Sequence, residues 1–415
     1  MVYTLNMNKR TLYKKLWDQL STDKSLVMLA GPRQSGKTTF ARDIVAKDFS
    51  DIVYFNWDLA KDKRRLIDDP DFFSKEPRGS VSSKPLVILD EIHKYRFWKN
   101  YLKGVYDQFA HDYQFLVTGS GRLEFSRKAG DSLAGRFLKF HIFPFTLAEL
   151  SSGRRELKDF MDNPLDGFDD VPTGETKQAF ESLWELSGFP EPFIKGKKTF
   201  WSAWSAAYGQ QIVRDDLTTV ADIRNLDIVE TLFALVPSRV GSPLSMNNLA
   251  GDLQVAFDTI KNWLLLFDSF YLTFRLAPWT AKISRSILKE KKIYLFNYPV
   301  IEDEAARFEN LAALEFLRAV ETWNDYGWGK FSIHYLRNKN RQEVDFLIAK
   351  NNKPFLLAET KLSDDTPAAN LLAFQNALDI PAVQLVKKEG VKKVYKNGKN
   401  SILVVTAHRW LSSLP

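Results

Sequence analysis

The chain has 415 residues, 45% hydrophobic and 26% charged, with 31 Phe, 14 Tyr and 11 Trp; a disordered chain is excluded, and at roughly 100–200 residues per domain two to four domains are expected. Zero cysteines exclude disulfides, thiolate nucleophiles and Cys-ligated zinc or iron–sulfur centres, and five His argue against a multi-His metal site. No uncharged apolar run is long enough to span a membrane and Met1 to Arg10 lacks a signal-peptide core, so a cytoplasmic protein with no membrane partner is expected; its net charge of +7 is compatible with nucleic acid.

The first element is an apolar strand, Ser25 to Ala30, which runs into Gly31-Pro32-Arg33-Gln34-Ser35-Gly36-Lys37-Thr38. This matches GxxxxGK[ST] with a strand before it and a helix, about Lys37 to Lys47, after it. Glycines let consecutive N–H groups curl around one anion, and the helix start adds partial positive charge. Gly31, Gln34, Ser35, Gly36, Lys37, Thr38 and Thr39 are the candidate nucleotide contacts. Lys37 would reach the β- and γ-phosphates and Thr38 would hold Mg²⁺. The plain alternative is a Gly-rich turn with an exposed lysine.

Further strands are expected at Ile52–Phe55, Leu86–Leu89, Gln114–Thr118 and Phe137–Phe143. Leu86–Leu89 ends in Asp90-Glu91, at the carboxyl edge where open α/β sheets bind ligands. Asp90 would hold Mg²⁺ and Glu91 would deprotonate the attacking water; the alternative is a helix cap. Thr118 and Ser120, at the next strand end, are candidates to sense the γ-phosphate, or else satisfied turn hydroxyls. Arg122 and Arg136 are candidates to place positive charge on the transferring phosphoryl group. His93 reads as a surface residue at a helix start.

Residues 151–180 are polar, with Asn163-Pro164 and Pro172-Thr173-Gly174, and read as a loop or insertion; residues 180–236 read as helical, interrupted at Gly188 to Pro192. A helix-turn-helix rhythm follows: a helix at Asn247–Leu253, then one at Asp258–Phe267 with Asp258 as its cap. Ile260, Trp263, Leu264 and Phe267 point inward there, and Thr259, Lys261 and Asn262 outward. A strand is expected at Phe270–Leu276. The basic run from Lys282 and Arg285 to Lys291 and Lys292 suits phosphate contacts, so duplex DNA is a candidate partner; packing alone is the alternative.

Glu302 to Val320 is a helix candidate, followed by strands at Phe331–Leu336, Glu343–Ala349 and Pro354–Thr360. A hairpin turning at Lys350 to Lys353 puts Asp345 opposite Glu359 to within one residue, and Glu359 and Lys361 share a strand face. Charges in core-like strands must neutralise one another or hold a metal. The Lys-rich stretch Lys387 to Lys399 is a solvated loop or a backbone-binding edge.

The GPRQSGKTT, LDEIHK, TGS and LAGR segments (Gly31–Thr39, Leu89–Lys94, Thr118–Ser120, Leu133–Arg136), with Phe143-Pro144-Phe145 and Glu149, resemble prokaryotic AAA-type (AAA+) P-loop ATPases. The Asp345, Glu359-Thr360-Lys361 pattern resembles the PD-(D/E)xK nuclease core. The whole is similar to the AAA-type ATPases that end in such a module. That resemblance implies an α/β protein: a P-loop AAA+ core (1–150), a helical lid (151–236) with Arg214-Asp215-Asp216, a winged helix-turn-helix (237–300) and a PD-(D/E)xK nuclease-like domain (301–415). It implies ATP and Mg²⁺ as cofactors, Asp345, Glu359 and Glu309 as further metal ligands, Lys361 as positioner of the hydrolytic water, and Gln375 as an accessory residue. Asn297 stands where the family often has Asp. An ATP-hydrolysing, DNA-acting protein with a Mg²⁺-dependent nuclease domain is expected; a nucleotide switch that binds DNA or protein through an inactive nuclease fold is the alternative. A homo-oligomer is compatible with either.

Overall fold

The computed structural model describes residues 10–79, 83–121, 133–169, 173–219, 225–280 and 290–415. Two compact units emerge: residues 1–144 with 269–271, and residues 145–268 with 272–415. The expected helical and C-terminal segments lie in the second, as does the helix-turn-helix segment apart from residues 269–271.

The first unit is built on five strands: β1 (Leu26–Ala30), β2 (Ile52–Asn56), β3 (Leu86–Asp90), β4 (Gln114–Gly119) and β5 (Leu138–His141). All pair in parallel, in the order β2-β3-β4-β1-β5. Every residue of β1, β3 and β4 is buried, which is why these strands read as unbroken apolar runs. The register aligns Asn56 with Asp90, Asp90 with Thr118, and Ala30 with Gly119, so the polar strand ends share the carboxyl edge. The strand expected over 137–143 is shorter, Leu138–His141, although the Ile142 N–H still donates to the Ala30 carbonyl of β1 at 2.9 Å. The helix expected over 37–47 is α-helical only at Lys37–Thr39, then widens into a π-helical turn at Phe40–Val45 and closes as 3-10 at Ala46–Asp48.

The second unit opens with helices where a loop was expected: Leu157–Asp162, and a longer one from Thr173 to Leu186. Helices Pro190–Lys195, Lys198–Gln211 and Leu226–Leu235 follow. The next helix, Met246–Asp252, is capped by Ser245, whose Oγ accepts from the Asn248 N–H at 3.4 Å. Its partner runs over Phe257–Ser269, one residue earlier than expected, so Asp258 lies in the first turn instead of capping it. Strands β6 (Thr273–Leu276) and β7 (Lys292–Leu295) form an antiparallel ribbon. The loop between them is described only in part, and Lys282 to Lys289 lie outside the described residues.

A 22-residue helix, Glu304–Asp325, is capped by Asp303 through the Ala306 N–H at 2.7 Å. Beyond it lie β8 (Phe331–Arg337), β9 (Glu343–Lys350), β10 (Lys353–Lys361), β11 (Ala382–Val386), β12 (Lys392–Asn397) and β13 (Asn400–Thr406), in the order β12-β13-β11-β10-β9-β8. β10 and β11 are parallel and joined through the helix Ala369–Leu378. Phe316 of the long helix packs on Phe346 and Trp410, sealing that helix to the sheet. Lysines crowd the edge strand β12, where charge discourages pairing with another strand. They are answered by acids: Lys392 pairs with Asp169, and Lys388 and Lys393 pair with Asp365. Among the described residues no helix is long and apolar enough to cross a membrane.

Candidate functional site

The phosphate loop leaves β1 through Gly31 and re-enters a helix through Gly36, which has φ 89°. A Cβ on Gly31 would lie 2.2 Å from the Ile142 carbonyl oxygen, so that position must be glycine. Gln34, also left-handed at φ 60°, is exposed at the crest, as is Thr39. The Ser35 hydroxyl is fully buried and has no hydrogen-bond partner among the described residues. An orphaned hydroxyl inside a curled loop suits an anion's oxygen. The buried Lys37 ammonium donates to the Pro32 carbonyl at 2.6 Å and the Gly31 carbonyl at 3.1 Å. Burial pulls it down to about 8, against the upward pull of Glu91 and Asp90.

Asp90 is the hub of the carboxyl edge. Its Oδ2 accepts from Thr38 Oγ1 at 2.8 Å and from the Tyr54 hydroxyl at 2.9 Å, and its Oδ1 accepts from Thr118 Oγ1. The two residues expected from sequence to hold Mg²⁺, Thr38 and Asp90, are therefore in contact. Oxygen donors of this kind suit Mg²⁺, which takes few protein ligands and keeps water. Tyr54 was missed because a tyrosine in a strand reads as core. Burial, with Asp90 beside it, raises its hydroxyl to about 12, so it stays a donor. Ser120 is buried just beyond β4.

Glu91 follows in the left-handed region at φ 57°, and its N–H donates to the Thr118 carbonyl at 3.2 Å. Its carboxylate lies 3.3 Å from Lys94 and 3.6 Å from His93 Nε2. His93 is buried, correcting its expected surface position, because the 3-10 turn Ile92–Lys94 folds it inward. Arg136 is not at the phosphate loop of its own chain. It precedes β5, whose Leu138 pairs with Val27 at the start of β1, while the loop follows the far end of β1. The four paired residues alone span roughly 13 Å. Arg136 instead makes a two-pronged ion pair with Asp107, at 2.7 and 3.2 Å. Arg122 lies outside the described residues.

In the second unit the β9–β10 ladder reaches Phe346 and Ala358 and stops, although both strands continue. The next residues across the split are Asp345 and Glu359. The Asp345 N–H donates to Glu359 Oε2 at 3.2 Å, and the Thr360 N–H and hydroxyl donate to Asp345 Oδ2 at 2.9 and 2.7 Å. Lys361 Nζ donates to Glu359 Oε1 at 2.6 Å. The sequence thus gathers Asp345, Glu359 and Lys361 as expected, but each carboxylate also serves the opposite strand's backbone. Burial, then the charge of Asp345, pushes Glu359 up to about 7. Glu309, Asp345 and Lys361 line a cavity of about 870 Å³, with Ser238, Ser242 and Glu302 on its other walls.

Glu309 does not complete a three-carboxylate pocket: ligand atoms of Glu309, Asp345 and Glu359 do not all come within 4.8 Å of one another. Its Oε1 accepts from Lys292 Nζ at 2.9 Å and from the Tyr294 hydroxyl at 2.7 Å. Lys292 also reaches Glu343 at 2.6 Å and Asp345 at 3.7 Å. This corrects the basic-run reading: Lys292 is 1% exposed and cannot meet a phosphate backbone. Lys291 is half-buried, and burial lowers its ammonium. Three carboxyls share one ammonium. Burial and then Asp345 push Glu309 up to about 8. Lys292, though burial pulls it down, is raised by Glu309, Asp345 and Glu343.

Gln375 is not directed at this site. It is fully buried and its amide donates to the Ile380 and Asn397 carbonyls, fixing the crossover helix. Gln384, unremarked in the sequence, pairs across the ladder with Glu359 and binds the backbone of Asp364, Thr366 and Ala368. Asn297 accepts from the Trp201 indole and donates to Ser205, a pairing an aspartate could not donate to. Arg214 pairs with Glu230. On the second helix of the helix-turn-helix, Ile260, Leu264 and Phe267 are buried and Lys261 and Asn262 are exposed, while Thr259 and Trp263 are half-buried.

Residues 23–151 match the family model described as an AAA domain, and residues 177–298 match a domain of unknown function (DUF8612). The chain is similar to the uncharacterized protein MJ1544 of Methanocaldococcus jannaschii, with 23% identity over 403 residues, 92% of this chain and 87% of that protein. It is 22% identical over 338 residues to the uncharacterized protein Rv2008c of Mycobacterium tuberculosis, covering 80% of this chain and 69% of the other. Among solved structures, the Walker-type ATPase PABY2304 of Pyrococcus abyssi aligns with a TM-score of 0.43 at 16% identity, over 69% of this chain and 93% of that one.

Proposed function

We propose that the AAA-type P-loop ATPase domain of residues 23–151 binds and hydrolyses Mg²⁺-ATP, and that its turnover serves a DNA-acting second unit whose Asp345–Glu359–Lys361 cluster cuts phosphodiesters. The observation that carries the first half is the contact between Thr38 and Asp90 beneath a loop with an orphaned Ser35 hydroxyl. Those residues would hold Mg²⁺, which would supply positive charge to neutralise the phosphates. Lys37 would exchange its two carbonyl partners for the β- and γ-phosphates. Glu91 would accept the proton of the attacking water, with Lys94 and His93 orienting its carboxylate. Thr118 holds Asp90 in place. Arg136, held by Asp107, takes no part in this step.

For the second half, the split between β9 and β10 puts Asp345, Thr360 and Lys361 on a cavity, with the Glu359 carboxylate buried beside them. Hard oxygen donors of that kind suit Mg²⁺, which would supply Lewis-acid activation of water; Lys361 would hold that water or stabilise the developing charge. Exposed Lys261 and Asn262 on the helix Phe257–Ser269 support contact with duplex DNA. One observation favours the inactive-fold reading: both carboxylates are already engaged by backbone N–H groups. The deciding experiment incubates the full chain with linear duplex and single-stranded DNA, with Mg²⁺ or Mn²⁺, with and without ATP. Cleavage abolished by Asp345→Asn supports the nuclease. ATP turnover without cleavage, together with salt-dependent DNA binding, leaves the switch reading.

A further inference from the structure

Lys292 opens β7, and its side chain enters the carboxylate cluster of the C-terminal sheet. Its ammonium lies 2.9 Å from Glu309, 2.6 Å from Glu343 and 3.7 Å from Asp345. Three carboxyls from two separate elements turn toward one buried point, as the ligands of a cation do, although their ligand atoms do not all lie within 4.8 Å of one another. Here the point is filled by a side chain. Tyr294, two residues on along the strand, adds its hydroxyl to the same Glu309 oxygen.

The ammonium is held by its carboxylate partners, and the strand that carries it is fixed in place. Asn310, one residue after Glu309, is fully buried; its Oδ1 accepts from the Leu295 N–H at 2.7 Å and its Nδ2 donates to the Leu295 carbonyl at 2.8 Å. That two-bond clamp fixes β7 to the helix carrying Glu309. Lys292 is also bridged on its other side, across from Leu276 and beside Pro243. Withdrawing the ammonium would break its ion pairs and leave like charges buried together.

We infer that Lys292 is the resident cation of the Glu309–Glu343–Asp345 cluster, so that Glu309 and Glu343 are not divalent-metal ligands and the proposed phosphodiester centre takes one divalent ion, on the Asp345–Glu359 side, where a two-metal site would take two. The one-ion count rests on the nuclease reading above; the role of Lys292 does not. Lys292 acts as a positioning residue: it fixes Asp345 and neutralises part of the charge that a second ion would otherwise meet.

The test counts Mn²⁺ bound to the nucleotide-free full chain by electron paramagnetic resonance, in an Asp90→Asn background that silences the ATPase metal site. One ion, lost in Asp345→Asn, is expected, and Lys292→Met should add one more, because the trio then lacks its cation. No added ion in a folded Lys292→Met variant would overturn the inference. Should that variant not fold, Glu309→Gln decides. With Lys292 in place, the affinity for the Asp345-dependent ion should change less than fivefold; a fivefold or larger loss would make Glu309 a ligand and overturn it. If Asp345 holds no ion until Lys292 is replaced, the role of Lys292 stands and the nuclease reading falls.

Discussion

Asp345 lies one step beyond the last paired residues of β9 and β10 and donates its backbone N–H to the carboxylate of Glu359 at 3.2 Å. The strands part at this point, and side chains take over the hydrogen bonds that the ladder gives up. Polar groups that would cost free energy if left unpaired are thereby satisfied at the place where charge is concentrated. Replacing Asp345 by Asn keeps the acceptor oxygen for Thr360 and removes the charge. Lys361→Ala removes the ammonium beside Glu359. Each should lower DNA cleavage by about 100-fold or more, with ATP turnover within about twofold, as read by parallel cleavage and phosphate-release assays. Cleavage that survives both changes rejects the site.

Glu91→Gln should bind ATP as the wild type does and lose turnover by about 10²–10⁴-fold, the usual worth of a positioned base. Asp90, Thr38 and Lys37 are untouched by the change, so nucleotide affinity is the internal control. Equal turnover in both proteins would remove Glu91 from the mechanism.

Lys37 gives a pH dependence with a definite sign. Burial lowers its ammonium from 10.5 to about 8. Phosphate binding needs the charged form, so affinity should be flat near neutral pH and fall as pH rises through 8, by at most about tenfold per pH unit. Bound phosphate shifts the fall upward in the complex. Lys37→Arg stays charged, so whatever affinity it retains should show no such fall. Binding of a fluorescent ATP analogue across this range checks both.

Tyr54→Phe removes one of the three side-chain donors to Asp90, together with the acceptor of a 3.3 Å bond from the Asn56 amide. A net loss of about 0.5–1.5 kcal/mol in stability is expected for one hydrogen bond, with a few-fold weaker Mg²⁺-ATP affinity as Asp90 loosens. Denaturant titration and calorimetry measure the two effects separately. A silent substitution on both counts would show that Thr38 and Thr118 suffice.

Lys292→Ala and Lys261→Ala separate buried from exposed lysines. Removing one partner of a buried ion pair costs about 3–5 kcal/mol, so Lys292→Ala should unfold at markedly lower urea. Lys261→Ala should leave stability unchanged and weaken DNA binding, reducing the salt slope by about one unit if it meets a phosphate. Salt-independent binding would reject this helix as the DNA surface.

What the sequence alone determined was local. The phosphate loop is contiguous, and its glycines, lysine and threonine act within a few residues of one another. Asp90 and Glu91 end an apolar run, and the run itself marks a buried parallel strand. Asp345 and Glu359 could be brought together because a short hairpin fixes register by counting. What the tertiary structure decided was which distant groups share a space. Tyr54 meets Asp90 because β2 lies beside β3; Arg136 is separated from the phosphates because β5 enters the sheet at the start of β1. Lys292 sits in a run of basic residues, and nothing in its neighbours in sequence distinguishes it. The pairing of β7 with the long helix, through the Asn310 clamp and the Tyr294 bond to Glu309, carries it into the carboxylates, since the charge that attracts it is contributed by residues 17 to 53 positions further along the chain.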